Sequence, residues 1–198
     1  MEINRGKLLA HSPHTRRLDT GWTRWGGNKV EHEPGSGRFC GREHRLPLRI
    51  YCEDTDFSGV VYHGNYVRYL ERGRSDFIRE LGIGLSSLLH AERPVTFMVS
   101  RLDLRFMRPA RIDDRLEVRT LAEVASGARV VCRQSILRGG ETLIEAISEN
   151  VCVGLDGRPR RLPAMFAQKI APFLPNAVRE TAEPVKKSVA ARELEVVG

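Results

Sequence analysis

The period of the hydrophobic pattern changes near the middle of this chain, and this change restricts the fold more than any other feature. From residue 65 to 81, apolar and small residues recur at helical spacing and would line one face of a helix: Tyr66, Tyr69, Leu70, Gly73, Phe77 and Leu81. Beyond residue 95, apolar residues alternate with charged ones, which is the period of a strand with one buried face. One amphipathic helix followed by several strands predicts an α+β fold.

Five segments have the pattern of strands: 46–53, 101–106, 116–119, 130–136 and 143–153. Glycines at Gly127, Gly139 and Gly140 lie between the last three, as expected for antiparallel hairpins. The sequence therefore predicts a five-stranded antiparallel sheet with one face covering a single long helix. Within that helix, Gly73 would allow a close approach to the sheet, and Gly82 would end it.

The loop before the helix carries acids, turn formers and a histidine, so chemistry would be placed there. We expect Asn65 to cap the helix. A helix start leaves backbone N–H groups unpaired and carries partial positive charge, so it would polarise a docked carbonyl and stabilise an oxyanion. Asp56 lies seven residues before His63, close enough for the loop to fold it back beside that oxygen. This combination is the minimal apparatus of acyl transfer.

The same region resembles a known family. Residues 49–56 (RIYCEDTD), 59–66 (GVVYHGNY) and the pair Glu71-Arg72 are similar to the signature of hotdog-fold acyl-CoA thioesterases. The likeness is to the 4-hydroxybenzoyl-CoA thioesterase class, and within it to the subgroup associated with the Tol-Pal system. A second block, 109–114 (PARIDD) running into Leu116, supports it. The resemblance covers about residues 45–170 and implies a hotdog fold, in which a five-stranded antiparallel sheet wraps around one long central helix.

The resemblance also implies roles for individual residues. Asp56 matches the catalytic carboxylate, which acts as general base on water or as nucleophile. His63 matches the position whose backbone N–H faces the thioester oxygen, and in the Tol-Pal subgroup its imidazole is implicated too. We expect Tyr62 and Gly64 to bind substrate beside it. Where that subgroup often has two tyrosines, this chain has Tyr51-Cys52, so any help from the second hydroxyl is missing.

Thioester hydrolysis needs little further machinery, because an ordinary thiol has a pKa of about 8.5 and its thiolate departs readily. Attack on the carbonyl needs only a base or nucleophile and a site for the developing negative charge. We expect no metal and no redox cofactor, since no second group of ligands accompanies the acid cluster. The predicted reaction converts acyl-CoA to free acid and coenzyme A.

Other assignments stay open at the level of sequence. Glu71 is the rival carboxylate, because another branch of hotdog thioesterases places its acid on the central helix; in this pattern we interpret it as orienting or structural. Cys52 is a weaker alternative nucleophile. The protein could also be a hydroxyacyl-thioester dehydratase, or a non-catalytic module that binds acyl-CoA or a partner.

The charge balance identifies further candidates. Lys plus Arg exceeds Asp plus Glu by 7, but no aromatic and basic surface motif accompanies the excess, so we expect no nucleic-acid partner. Arg160 and Arg161, just after the last predicted strand, are candidate contacts for the phosphates of coenzyme A.

A single sheet would leave an edge strand exposed, and the family pairs sheets between subunits, so we expect a homodimer or homotetramer.

The ends of the chain have no sustained periodicity. We expect residues 1–44 to be a disordered extension or the product of a start assigned too early, 45–170 to be the domain, and 171–198 to be a flexible tail, with a short helix within 163–174. No segment is long and apolar enough for membrane insertion.

The cysteines, at positions 40, 52, 132 and 152, lack CxxC spacing, so we expect reduced residues in or near the core of a cytoplasmic protein. The Tol-Pal resemblance implies association with an envelope complex.

Overall fold

A single long helix lies across one antiparallel sheet in the computed structural model, which describes residues 36–175. The strands are β1 (Arg38–Cys40), β2 (Glu43–Arg49), β3 (Val95–Phe106), β4 (Arg115–Ser126), β5 (Arg129–Arg138) and β6 (Glu141–Gly154). Their order in the sheet is β1-β2-β4-β5-β6-β3. The helices are α1 (His63–Glu80), α2 (Leu85–Leu89) and α3 (Ala164–Ile170), with short 3-10 turns at Cys52–Asp54 and Ala171–Phe173.

The α+β prediction is confirmed, with six strands rather than five. The additional strand, β1, has only three residues and pairs with β2 through Cys40 and Glu43, so alternation could not reveal it. The predicted first strand also began and ended too late, because β2 spans Glu43–Arg49. The boundary at residue 45 is therefore corrected: the sheet already includes residues 38–44. The rest of the predicted extension, 1–35, and most of the predicted tail, 176–198, lie outside the described residues.

The predicted apolar stripe of α1 is buried against the sheet, including Tyr69 and Leu70. The helix begins at His63 rather than at Asn65, and Tyr62 takes the cap position without a side-chain hydrogen bond. The prediction that Asn65 caps the helix is therefore wrong. Its side-chain amide instead donates to the carbonyl of Asp54 at 2.9 Å, which ties the first turn of α1 to the loop before it.

Two glycines of the helical segment have the roles that the sequence indicates. A Cβ at Gly73 would lie 2.7 Å from Val118 Cγ1 and 3.0 Å from Thr120 Oγ1, so only glycine allows α1 to approach β4 this closely. Gly82 has a φ of 70° and donates its N–H to the carbonyl of Arg79 at 2.7 Å, which ends the helix.

Buried apolar side chains form two clusters along α1. The first surrounds the beginning of the helix and includes Ile50, Val61 and Tyr66. The second surrounds its end, where Phe166 of α3 packs, so the short helix predicted within 163–174 is confirmed.

All four cysteines are free; Cys132 and Cys152 are buried, but Cys40 and Cys52 are exposed, which corrects their predicted placement. Among the described residues, no helix is long and apolar enough to cross a membrane.

Candidate active site

The loop that precedes α1, residues 54–62, is a closed hairpin, which we call the Asp56 loop. The N–H of Asp56 donates to the carbonyl of Val60 at 3.0 Å, and the N–H of Gly59 donates back to the carbonyl of Asp56 at 3.0 Å. Gly59 adopts a φ of 75°, which glycine allows without strain. At its base, the N–H of Tyr62 donates to the carbonyl of Asp54 at 2.9 Å. The loop therefore holds Asp56 in a fixed position next to the helix.

Asp56 is half-buried and is held as a carboxylate. Its Oδ1 accepts hydrogen bonds from the hydroxyl of Ser58 and from the backbone N–H of Ser58, the latter at 2.8 Å. These two bonds, with a smaller contribution from the nearby His63, lower the pKa of Asp56 below its ordinary value. At neutral pH the side chain is therefore ionised and able to act as a base or a nucleophile.

The start of α1 presents unpaired donors beside this carboxylate. Within residues 36–175, the N–H groups of His63 and Gly64 donate to no protein acceptor, whereas the N–H of Asn65 is already bonded to the carbonyl of Tyr62 at 2.9 Å. The helix is 18 residues long, so its first turn carries the positive end of a full helix dipole. Two donors that point from a positive helix end can hold a carbonyl oxygen or an oxyanion.

The predicted residues Asp56, Tyr62, His63 and Gly64 lie together at this helix start. The rings of Tyr62 and His63 are 4.4 Å apart between centroids, and both side chains are exposed. A Cβ at Gly64 would lie 2.8 Å from Tyr62 Cε1, so the glycine leaves room for the tyrosine ring. A pocket of about 260 Å³ opens beside His63, and Tyr66 and Phe106 are among its lining residues.

The second sequence block supports the site from behind. The carbonyl of Ala110 accepts the N–H of Val61 at 2.9 Å, and the N–H of Ala110 donates to the hydroxyl of Tyr66 at 2.8 Å. Burial raises the pKa of Tyr66, which keeps this hydroxyl neutral. Ala110 thereby joins the Asp56 loop to the first turn of α1. Sequence reasoning gave Tyr66 only a core role, because a helical stripe does not reveal a hydrogen bond to a distant loop.

Tyr69 is a second residue near the site whose polar group the sequence did not predict. Its hydroxyl is buried and has no hydrogen-bond partner within residues 36–175. Burial raises its pKa, and the negative charge of Asp54 raises it further. The hydroxyl is therefore neutral and lies near Asp54, the first residue of the Asp56 loop.

Glu71 lies about two turns after His63, the first residue of α1, and belongs to a separate hydrogen-bond network. Its carboxylate accepts hydrogen bonds from Arg74 and, at 3.0 Å, from Ser75. The buried Arg74 also donates to the Oε1 of Gln134 at 2.8 Å. Glu71 is thus paired with one cation and one hydroxyl, away from the free N–H groups of His63 and Gly64. Cys52, the alternative nucleophile, lies in the exposed 3-10 turn that precedes the Asp56 loop.

Arg160 and Arg161 lie far from the Asp56 loop in the fold. They line a groove of about 730 Å³ together with Val95, the first residue of β3, whereas the site at the helix start adjoins Phe106, the last residue of β3. Arg160 Nη2 is paired with Asp156 Oδ2 at 2.8 Å. One chain therefore does not bring these arginines together with Asp56.

Within residues 36–175, no group of three or more His, Cys, Asp or Glu side chains is placed to hold a metal ion.

Comparisons with known proteins point to a single family. The family model of the thioesterase superfamily matches residues 58–145. The acyl-CoA thioester hydrolase YbgC of Escherichia coli O6:H1 is 41% identical over 121 residues, which cover 60% of this chain and 89% of that protein. The crystal structure of a probable thioesterase from Bartonella henselae is 40% identical, with a TM-score of 0.60 over 61% of this chain and 99% of its own.

A more distant structure shows the fold. It is a mutant 4-hydroxybenzoyl-CoA thioesterase in complex with 4-hydroxybenzoyl-CoA, 23% identical to this chain. Its TM-score is 0.61, over 65% of this chain and 99% of that chain. The fold of the matched part of this chain is therefore similar to that of a solved thioesterase.

Proposed function

Because this chain belongs to the thioesterase superfamily, with the YbgC acyl-CoA thioester hydrolase among its relatives, we propose that Asp56 is the carboxylate that drives its reaction. The fold is a hotdog, and the chain is an enzyme that hydrolyses an acyl-CoA thioester to the free acid and coenzyme A. This sets aside the dehydratase and the non-catalytic module. The main support for this role is the position of Asp56: its ionised carboxylate lies beside two unpaired N–H groups at the start of α1.

The carbonyl oxygen of the thioester is polarised by the N–H groups of His63 and Gly64. As attack proceeds, negative charge develops on that oxygen, and the positive end of α1 stabilises it. One donor of this kind is worth about 10² to 10³ in rate. The side chains of Tyr62 and His63 form the exposed rim, and Gly64 keeps the approach to the N–H groups open.

Asp56 either removes a proton from the attacking water or attacks the carbonyl carbon itself. In the first case water forms the tetrahedral intermediate directly; in the second, an acyl-aspartate anhydride forms and water then cleaves it. In both cases the C–S bond breaks and coenzyme A leaves as a thiolate. General-base assistance contributes about 10² to 10⁴ in rate.

The test is thiol release from an acyl-CoA panel by the wild type and by Asp56→Asn. We expect the variant to lose at least about 10² in kcat, the low end of general-base assistance. Glu53→Gln is the matched control, because Glu53 is an exposed acid of the neighbouring 3-10 turn and should keep its activity. If Asp56→Asn retained activity within a few-fold of wild type, Asp56 would have no catalytic role.

A homodimer is the assembly that the sheet supports. β3 is the last strand in the sheet order, and its second edge pairs with no strand among residues 36–175. The exposed side chains on it and just after it include Met98, Val99, Phe106 and Met107. Free strand edges with apolar side chains are sites of pairing between chains. A monomeric mass by light scattering at micromolar concentration would contradict the dimer, and the same measurement separates dimer from tetramer.

We also propose a cytoplasmic location and association with an envelope complex. The first is supported by the four free cysteines, since such thiols persist in reducing compartments. The second is supported only by the resemblance to the Tol-Pal subgroup. Cell fractionation and affinity purification of a tagged chain test both, and recovery in the periplasm or without envelope proteins would reject them.

A further inference from the structure

We propose that Tyr69 is a positioning residue for Asp56: its hydroxyl donates a hydrogen bond to the carboxylate of Asp54 as the Asp56 loop takes up its reactive position against α1. The side chain of Tyr69 is only 1% exposed, so it acts on the reaction through the loop and not by contact with the thioester. This inference rests on the proposed function, because the group that Tyr69 positions is the carboxylate of Asp56.

Tyr69 lies beside Asp54 because of the spacing of the helix. Asn65 and Tyr69 are both buried and four residues apart on α1, so they are neighbours on one face of the helix. The side-chain amide of Asn65 donates to the carbonyl of Asp54 at 2.9 Å, which holds Asp54 against this face. The charge of Asp54 is also near enough to raise the pKa of Tyr69. The hydroxyl therefore faces the base of the Asp56 loop as a neutral donor.

The hydroxyl of Tyr69 has no use in the structure as it stands. It is buried, yet within residues 36–175 it makes no hydrogen bond. A buried donor without an acceptor destabilises a folded protein, and a phenylalanine ring would fill the same space without that cost. The ring of Tyr66 lies 6.0 Å away, and its hydroxyl does hold another group, the backbone N–H of Ala110, at 2.8 Å. We therefore assign the hydroxyl of Tyr69 to another position of the loop.

Asp54 offers the acceptor that this hydroxyl lacks. Its Oδ2 accepts the backbone N–H of Tyr51 at 2.8 Å, and its backbone carbonyl accepts the N–H of Tyr62 and the amide of Asn65. In the part of the chain that the structure describes, Oδ1 of Asp54 accepts no hydrogen bond and its carboxylate makes no ion pair. A hydroxyl that donates to a carboxylate forms a short and strong bond. The free oxygen and the unpaired hydroxyl are therefore complementary.

A bond between these two groups would also move Asp56. Thr55 is bridged to Val61, so the hairpin between Asp54 and α1 shifts as a unit. A shift of Asp54 towards Tyr69 thus changes the position of Asp56 relative to the free N–H groups at the start of α1. Attack requires the reacting atoms to be about 3–3.5 Å apart, and small displacements are costly in rate. The bond would hold the carboxylate at the distance that attack requires.

The first experiment is Tyr69→Phe, which removes the hydroxyl and keeps the ring. We expect kcat for thiol release to fall about tenfold, the effect of losing one hydrogen bond to a charged group, with KM nearly unchanged. The midpoint of thermal unfolding should not fall, because the hydroxyl holds no other group in the free protein. A purely structural role predicts the reverse, a lower midpoint with an unchanged kcat. A wild-type kcat in Tyr69→Phe would overturn the proposal.

The control is Arg72→Ala. The guanidinium of Arg72 lies 5.8 Å from the centre of the Tyr69 ring, so this variant disturbs the same surface of α1 and leaves the hydroxyl in place. We expect its kcat to stay close to that of wild type. If Arg72→Ala lost as much activity as Tyr69→Phe, disturbance of the helix surface would explain both losses, and the role of the hydroxyl would be rejected.

The second experiment identifies the acceptor. Tyr69→Phe and Asp54→Asn are measured singly and together, because coupled residues give losses that do not multiply. If the hydroxyl acts on the Asp54 carboxylate, kcat of the double variant should be higher than the product of the two single losses predicts. Independent losses would reject Asp54 as the partner of Tyr69.

The third experiment combines Tyr69→Phe with Asp56→Asn. If the hydroxyl positions the Asp56 carboxylate, its removal should change kcat little once that carboxylate is gone. The same loss in both backgrounds would reject positioning of Asp56 and leave the role of Asp56 intact, provided that Asp56→Asn alone is impaired. An Asp56→Asn variant that is as active as wild type would instead reject the role of Asp56, whatever Tyr69→Phe does.

Discussion

Two hydrogen bonds from one residue, Ser58, lower the pKa of Asp56 below its ordinary value. The hydroxyl contributes most to the lowered pKa, the backbone N–H of Ser58 contributes next, and the imidazole of His63 adds less. The sequence identified Asp56 through the resemblance, but not Ser58, because a serine two positions after an aspartate is common in turns and does not reveal which oxygen it donates to.

Ser58→Ala removes the larger of these contributions and keeps the backbone bond. We expect the pKa of Asp56 to rise, so the acid limb of the kcat/KM profile should move to higher pH, while the plateau changes little. The measurement is the pH dependence of thiol release. Ser58→Thr keeps a hydroxyl and should keep the wild-type profile; a profile unchanged in Ser58→Ala would mean that another group sets the acid limb.

At the scale of elements, the contact of α1 with β4 positions the helix start. The sequence predicted the buried stripe and the close approach at Gly73, because both follow from helical periodicity and from the cost of glycine in a helix. The sequence misplaced the first turn of α1, which begins at His63 and not at Asn65. Asn65 is a good cap by residue type, but its side chain bonds to Asp54, and only the tertiary structure of the Asp56 loop decides between these two uses.

Gly73→Ala should destabilise the protein although alanine favours helices. The new Cβ would lie 2.7 Å from Val118 Cγ1, and overpacking of this kind costs about 1–3 kcal/mol, more than the roughly 1 kcal/mol gained from helix propensity. Denaturant unfolding measures the difference. Arg72→Ala, at the exposed neighbouring position, should have little effect; equal stability of Gly73→Ala and wild type would show that the sheet yields to the methyl group.

Over the whole molecule, a buried pair connects the first strands to the helix. His44 of β2 is fully buried, and its Nε2 lies 3.1 Å from Asp76 Oδ2 of α1, while its Nδ1 has no partner within residues 36–175. The same Asp76 oxygen accepts the N–H of Gly37 at 2.6 Å, and Arg79 binds its other oxygen. Burial lowers the pKa of His44, against the opposing charges of Asp76 and Glu80.

This pair predicts a pH dependence of stability. Because the folded pKa of His44 lies below its unfolded value of 6.5, the unfolded chain binds the proton more readily, so stability should fall as pH decreases below about 6.5. Urea unfolding between pH 7.5 and 5 measures the slope. His44→Gln should be less stable at pH 7.5 but should have a shallower slope; an identical slope would show that other groups cause the acid sensitivity.

The sequence predicted the long strands and the helix better than it predicted the short strand β1 and the boundaries of the elements. Alternation and glycine turns revealed β3 to β6, because long strands with one buried face repeat their pattern several times. They did not reveal β1, whose three residues give no repeat and whose place depends on β2 and on Asp76. Arg160 and Arg161 were grouped with Asp56 by chemistry alone, and the length of β3 separates them in space.

The central claim is that backbone N–H groups at the start of α1 hold the thioester oxygen beside Asp56. His63 is the first residue of the helix, where proline is tolerated, and Tyr62 before it has φ −57° and ψ 130°, which suits a residue that precedes proline. His63→Ala removes only the imidazole, whereas His63→Pro removes the imidazole and the N–H. With thermal unfolding as the check on folding, kcat of His63→Pro should be about 10² to 10³ lower than that of His63→Ala. Equal kcat values for the two folded variants would contradict the claim.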